Sequence, residues 1–582
     1  MRKIITKAAV AALLGLLLQA GSTMACTNFL ITKGASTDGS TIISYSADSH
    51  VLYGELYYRP AMTYPAGSMR FIYEWDTGKP LGKIAQAAQT YNVVGNMNEY
   101  QVTIGETTFG GREELSDSTA TIDYGSLIYI ALERSKTARE AIKVMAELVA
   151  QYGYYSSGES FSIADPNEVW ILEMISKGTN IVTNKKTKTS VNANKGAVWV
   201  AVRIPDGYVS GHANQARIRQ FTLENMTTSI SSKNLDKINE PGIEIVYAAD
   251  VITFAREKKY FNGEDKDFSF SDAYAPVDFG AARFCEIRVW SMFKDVNPDM
   301  QQYLDYVKGE NLHNRMPLYI KPSKKISVHD VMMFMRDHLE GTELDMTADV
   351  GAGPHHLPYR WRPMTWSYNG ENYCHERATA TQQTGWSYVA NMRSWLPREI
   401  GGILWFGVDD AAATVYSPMY CSMTRIPETF AVGNGDMLTY SPTSAHWVFN
   451  RVSNFAYLRY DAMHADVQKV QAELEAKYLA LTAAIDNGAK TLYDKDPKMA
   501  VEFLTDYSVN TGNSTVKKWQ ELSDYLLVKY MDGNVKKEKD GKFLDNGYGI
   551  MASPNQPQLP DWWKKKIVED TGKEKKVIGA AH

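Results

Sequence analysis

Cys26 stands where one residue can carry both a nucleophile and its base. Arg2, Lys3 and Lys7 form a basic start. Residues 8–18 (AAVAALLGLLL) are an apolar run too short to span a bilayer, and Thr23-Met24-Ala25 puts small residues at the −3 and −1 positions of a cleavage site. Cleavage after Ala25 leaves Cys26 first, with a thiol of pKa about 8.5 and an α-amine of about 7.7–8.0. The amine can then take the thiol proton near neutral pH and return it to a leaving amine, and ionised cysteine is a strong nucleophile.

The rival role for Cys26 is a diacylated anchor. Thr-Met-Ala is a poor lipobox, because an aliphatic residue is expected at −3. Residues 27–32 (TNFLIT) enter a strand pattern directly, with no Ser/Gly-rich tether. The pattern favours the nucleophile.

Other chemistry-bearing clusters are weaker. His355 and His356 are adjacent, a spacing that does not readily share one metal on regular structure. No His-Glu-x-x-His, Cys-x-x-Cys or complete calcium loop occurs, so the reading carries no metal and no cofactor. Asp409-Asp410 reads as a pair of structural carboxylates at a strand end. There is no Gly-x-Ser-x-Gly elbow and no phosphate-binding glycine loop.

The elements that must position Cys26 are β-rich. Runs at 26–33 and 41–46 flank a turn containing Asp38-Gly39, a hairpin signal. Thr137-Ala138-Arg139-Glu140 opens a helix with a capping box, carrying Ile142, Met145, Leu148 and Val149 on one face. Strands follow at 161–163 and 169–174, then at 199–203 and 208–212 around the turn Pro205-Asp206-Gly207. The alternating run 282–290 reads as a strand, and 402–408 and 414–416 as later core strands. Beyond residue 455 the spacing turns helical: Val467, Val470, Leu474, Leu481 and Ile485 form one helix stopped by Asn487-Gly488, and 499–507 and 519–530 predict two more. The chain divides into a leader (1–25), a catalytic domain (26–455), a helical C-terminal portion (456–535) and a loose Lys/Gly-rich tail (536–582).

Composition excludes several classes. Charged residues make up 22% and the net charge is −5, so no basic field argues for nucleic acid. No second apolar run is long enough to cross a membrane. Four cysteines are too few for a disulfide framework, and Cys285 reads as a free buried thiol.

From Cys26 onward the chain resembles a known family. The string Cys26-Thr27-Asn28-Phe29-Leu30-Ile31, then Thr37-Asp38-Gly39-Ser40-Thr41-Ile42-Ile43 and Asp48-Ser49, is similar to the start of the dipeptidase A family. These are cysteine-type N-terminal nucleophile (Ntn) hydrolases, related to penicillin V acylase and bile-salt hydrolase. The segment 212–218 (HANQARI), residues 283–290, and the block 402–410 leading to Tyr416-Ser417-Pro418 continue the resemblance in order to about residue 420.

The resemblance implies an α+β fold, the four-layer αββα Ntn-hydrolase sandwich, with the helical portion appended. It implies catalytic roles for Cys26 as nucleophile, Asp48 orienting amine or thiol, Asn214 as oxyanion donor, and Arg283 as the site arginine, with Arg288 the alternative. On a regular strand those two arginines face opposite ways, so only one can serve. The relatives' second oxyanion partner falls near Glu106-Thr107, where this chain lacks their asparagine; Glu106 could bind a substrate ammonium instead. Many relatives carry Arg-Asn-x-Asp where this chain has Tyr45-Ser46-Ala47-Asp48, which removes a cation beside the thiol.

The expectation is an exported dipeptidase, periplasmic or secreted, acting on small peptides, with homo-oligomerisation left open. Alternatives are an N-acyl amide acylase and a lipid-anchored binding protein with acylated Cys26.

Overall fold

The computed structural model describes residues 26–579 and shows a mixed α+β chain; the expected leader, residues 1–25, lies outside the described residues. The strands used below are β1 (Asn28–Ile31), β2 (Thr41–Asp48), β3 (Thr103–Gly110), β4 (Gly158–Ala164), β5 (Val169–Ser176), β6 (Ala197–Arg203), β7 (Val209–His212), β8 (Thr384–Met392), β9 (Gly402–Val408) and β10 (Ser417–Tyr420). A seven-stranded sheet runs Tyr319–Ile320, β7, β1, β2, β8, β9, β10. A nine-stranded sheet runs from Ser229–Ser231 and Ile245–Tyr247 through β6, β5, β4 and β3 to three two-residue strands.

Strands β2, β4, β5, β8 and β9 are buried at every residue. Both faces are covered, so β5 and β9 read as near-continuous apolar runs, while β2, β4 and β8 bury serines, threonines and carboxylates among their apolar residues. The two sheets pack tightly at Gly105. A Cβ there would lie 2.5 Å from Asn28 Nδ2 and 3.1 Å from the Tyr388 hydroxyl, so only glycine lets the backbones come this near. Beside it His212 bridges the sheets, its Nδ1 2.7 Å from Thr107 Oγ1 and its Nε2 2.6 Å from Ser162 Oγ. Burial lowers this imidazole to about 3, leaving it a neutral structural group.

The turn Pro205-Asp206-Gly207 carries the chain from β6 of one sheet to β7 of the other, so the flanking strands are not paired with each other. Helix α1 (Tyr124–Arg134) and helix α2 (Ala138–Tyr152) pack beside the nine-stranded sheet. The Thr137 side chain accepts from Glu140 N–H, capping α2 as its sequence implies.

The alternating run 282–290 is a correction. Residues Ala281–Glu286 form a π-helical turn that leads into α3 (Ile287–Val296). Ala282 and every residue from Glu286 to Phe293 are buried, so the helix is enclosed on all sides and its apolar pattern does not separate it from a strand over this window. Similarly, residues 414–416 precede β10 and are not themselves strand.

The C-terminal helices are α4 (Ala445–Leu458), α5 (Tyr460–Tyr493) and α6 (Pro497–Tyr530). Asn487-Gly488 does not end α5, and the two helices expected beyond it are one. Tertiary packing overrides the local stop signals: Phe503 of α6 lies 3.5 Å from where a Gly488 Cβ would stand, and Gly512 fits closely against Pro427. These helices bond directly to the seven-stranded sheet and its connections. Arg336 donates to Glu475 Oε1 at 2.6 Å, Tyr420 N–H to Ser508 Oγ at 3.2 Å, and the Tyr420 hydroxyl to Asp486 Oδ1 at 2.7 Å. The stretch read as a loose tail holds a short hairpin (Glu538–Lys539 with Lys542–Phe543) and a helix (Asp561–Thr571). Phe543 stacks on Tyr525 of α6, which supplies the apolar contact that composition alone did not reveal.

Candidate active site

Cys26 is fully buried. Thr27 and Ser46 exchange backbone hydrogen bonds of 3.4 and 3.0 Å, which lays Cys26 alongside Ala47 and Asp48 of β2. A β-bulge between Ala47 and Asp48 skips one residue of β8, so Asp48 faces Thr384. Asp48 Oδ1 accepts from Thr384 Oγ1 at 2.7 Å, Oδ2 accepts from Arg377 Nη2 at 2.6 Å, and its backbone amide lies near enough to the Cys26 thiol to favour the ionised sulfur. The aspartate is therefore held rigidly beside the thiol.

Arg288, on α3, is the arginine that reaches Cys26. Its Nη1 donates to the Cys26 carbonyl at 2.6 Å and to Thr27 Oγ1 at 2.9 Å, and its Nη2 donates to Asn214 Oδ1 at 2.9 Å. Burial and the nearby Arg377 lower Arg288 to about 10, so it stays cationic at neutral pH. Arg283 instead forms an ion pair with Glu376 and donates to the Lys308 carbonyl at 3.2 Å. The resemblance favoured Arg283, with Arg288 the alternative, on a segment read as a strand; the segment is instead a π-turn leading into α3, and it is Arg288 that reaches the nucleophile.

Asn214 follows β7 in the left-handed region, φ 56°, a conformation asparagine tolerates better than most residues. Its Nδ2 donates to the Thr108 carbonyl at 2.7 Å while its Oδ1 accepts from Arg288, so the amide orientation is determined. The loop around it is fastened by Arg217, whose Nη1 donates to the Gly211 carbonyl at 2.7 Å and whose Nε pairs with Glu286 at 2.9 Å. Glu173 receives the Ile218 N–H at 3.0 Å. Glu286 immediately precedes α3, so one buried ion pair ties the Asn214 loop to the Arg288 helix.

Tyr45 of β2 lies beside the thiol. Its hydroxyl lies 3.8 Å from Cys26 Sγ and donates to Glu106 Oε1 at 2.7 Å. Burial, then the fields of Glu106 and Asp48, push the Cys26 thiol well above its ordinary value. The thiol thus needs a proton acceptor close at hand to react. Burial raises Glu106 to about 7, and it shares a hydrogen bond with Glu159, whose carboxyl burial and Glu106 hold well above the usual range. The two carboxyls sit diagonally on neighbouring strands, Thr108 opposite Glu159 and Glu106 opposite Phe161. Thr107 points the other way, to His212 in the core.

A cleft of about 1420 Å³ has Asn214, Arg288, Thr108 and Glu159 in its wall, so the partners of Cys26 and Glu106 line it while Cys26 and Glu106 themselves do not. Glu74, Asp76, Glu113 and Glu114 add acidic groups, and Arg362 and Arg377 add cationic ones. Of the sequence-expected site residues, Cys26, Asp48, Asn214 and Glu106 lie together; Arg283 and Thr107 do not. Sequence reasoning missed Glu159, Arg362 and Arg377, for which spacing offers no signal, and noted Tyr45 only as a departure. Asp409 and Asp410 are buried elsewhere, bonded to Asn450, Ser453, Tyr359 and Tyr457. Among the described residues no group of three or more His, Cys, Asp or Glu is placed to hold a metal ion, and no helix is long and apolar enough to cross a membrane.

Residues 25–473 match the family model described as peptidase family C69. The chain is 24% identical over 424 residues to a protein of Salmonella dublin named "Probable dipeptidase", covering 70% of this chain and 83% of that one. It is 23% identical over 508 residues to a "Probable dipeptidase" of Latilactobacillus sakei, covering 83% and 90%. A "Probable dipeptidase B" of Lactococcus lactis subsp. lactis is 21% identical over 529 residues, covering 86% and 95%.

Proposed function

The chain belongs to peptidase family C69, and from that membership we propose that it is an exported cysteine dipeptidase of the N-terminal nucleophile type, built as a four-layer αββα sandwich. One observation carries the catalytic assignment: Arg288, Asn214, Asp48 and Tyr45 converge on Cys26, and the family match begins at residue 25.

In this mechanism, removal of residues 1–25 frees the Cys26 α-amine. Cys26 Sγ attacks the scissile carbonyl carbon as its proton passes to that amine. The carbonyl oxygen becomes an oxyanion, and Asn214 Nδ2 with backbone N–H groups stabilises it. Collapse breaks the C–N bond, and the protonated α-amine returns its proton to the departing amino acid. Water then attacks the thioester, giving one proton back through the amine to sulfur and releasing the first amino acid. Asp48 and Arg288 orient the nucleophile, with Arg288 supplying the cation that position 45 lacks. The Glu106–Glu159 carboxyl pair receives the substrate's α-ammonium. The names of the relatives support the dipeptide as substrate.

The test is the intact mass of the exported protein together with hydrolysis of a dipeptide panel. A mass starting at unmodified Cys26, cleavage of free dipeptides, and loss of that activity in Cys26→Ala are expected. Cleavage of N-acyl amino acids alone would make it an acylase, and an acylated Cys26 without hydrolysis would make it an anchored binding protein.

A further inference from the structure

Four guanidiniums line the cleft, and three of them are committed to the protein. Arg288 is bonded to the Cys26 carbonyl, Thr27 and Asn214. Arg377 is paired with Asp48 at 2.6 Å. Arg112 donates to the Ala273 carbonyl at 2.6 Å, stacks on Tyr260 and stands in the field of Glu114. Arg362 differs: its Nε and Nη2 both donate to the neutral Gln383 Oε1, at 3.0 and 2.8 Å, and among the described residues it forms no ion pair.

Arg362 is half-buried, close enough to Arg377 to feel its charge, and stands beside His50, which its field helps keep neutral. Its pKa is lowered to about 10, so it remains protonated at neutral pH. Its counter-charge is the Asp48 carboxylate, beyond ion-pair distance and already paired with Arg377, so a half-buried cation beside a second cation is better satisfied when an anion lies against it. Gln383 also donates to the Asp48 carbonyl at 3.4 Å, which ties Arg362 to the nucleophile's own surroundings. The acidic groups Glu74, Asp76 and Glu159 come from the nine-stranded sheet and the connections around it, whereas Arg362, Arg377 and Gln383 come from the segment leading into β8 of the other sheet. Glu74, Asp76 and Glu159 thus enter the cleft from the side of one sheet and Arg362 and Arg377 from that of the other, with Arg112 a cation on the acidic side.

Resting on the dipeptidase reading, we infer that Arg362 takes the free α-carboxylate of the substrate's second residue, and that Gln383 is its positioning residue. A dipeptide carries its ammonium on one Cα and its carboxylate on the next, 3.8 Å away. The acidic side takes the first and Arg362 the second, with the scissile carbonyl between them. A third residue moves the carboxylate about 3.3–3.6 Å further, past Arg362. The same arginine therefore sets both the need for a free C-terminus and the length limit.

The experiment compares kcat/KM for a dipeptide and its C-terminal amide in the wild type, Arg362→Gln and Arg362→Lys. The wild type is expected to prefer the free acid by about 10–100-fold, the range of a charge-assisted hydrogen bond. R362Q brings that ratio to about 1, chiefly through KM, and R362K keeps most of the preference. Hydrolysis of the amide by R362Q reports that the variant is folded. A wild-type ratio near 1, or an R362Q ratio equal to the wild type's, overturns the assignment of Arg362 while leaving a dipeptidase. A wild type that cleaves neither peptide but cleaves N-acyl amides overturns both readings.

Discussion

The Tyr45 hydroxyl bridges Cys26 and Glu106, 3.8 Å from the sulfur and 2.7 Å from Oε1 of the carboxyl. Its hydrogen bond orients the carboxyl that would receive the substrate ammonium and places a polar group next to the thiol. Tyr45→Phe keeps the ring against Tyr388, 5.6 Å between centroids, and removes only this link. We expect kcat/KM on a dipeptide to fall about 10–100-fold with the melting temperature nearly unchanged; steady-state kinetics with thermal melting checks it.

Glu106 makes activity and stability depend on pH in opposite directions. Burial raises its carboxyl to about 7, so the form that pairs with an ammonium becomes dominant only above that pH. The kcat/KM for free dipeptides should rise through pH 7. In Glu106→Gln that limb is expected to vanish, leaving the limb of the α-amine near pH about 8. For stability, a folded pKa above the unfolded one favours the protonated fold. The contribution is present at low pH and is lost as pH rises through about 7. The melting temperature of Glu106→Gln relative to wild type should therefore increase from pH 5 to pH 8, by a few degrees.

Asn214 separates a catalytic effect from a conformational one. Both Asn214→Gly and Asn214→Ala remove the amide, and each is expected to lower kcat about 10²–10³-fold if that amide meets the oxyanion. Only alanine is strained at φ 56°, so Asn214→Ala should be about 1–2 kcal/mol less stable than Asn214→Gly. Equal stabilities in denaturant titrations would contradict the left-handed backbone.

The Arg217–Glu286 pair is 2% and 1% exposed and ties the Asn214 loop to the start of α3. Truncating one partner leaves the other charge buried. Glu286→Ala should cost about 3–5 kcal/mol, and activity should fall with it because Asn214 and Arg288 lose their common support. Urea unfolding followed by fluorescence of the tryptophans measures the first effect.

Much of the site was legible because it is local. Cys26, the strand that follows it and Asp48 on the next strand lie within 23 positions, and the Asp38-Gly39 turn between them is a short-range signal. The cap of α2 and the burial of β9 were readable for the same reason. The helix at 287–296 was not, since a nine-residue window of alternating apolar residues fits strand and helix alike, and the π-turn ahead of it shifts the phase.

By itself, the sequence determined which residue could be the nucleophile, the order of the motifs around it and the mixed fold class, because residue type, spacing and local propensity decide those. Tertiary structure decided the rest. Arg377 meets Asp48 across 329 residues, Arg288 meets Cys26 across 262, and the chain changes sheets at Pro205-Asp206-Gly207. Such meetings depend on strand register, a bulge and a helix phase acting together. A one-residue change in any of them sends a different side chain to the thiol, and no local pattern records that choice.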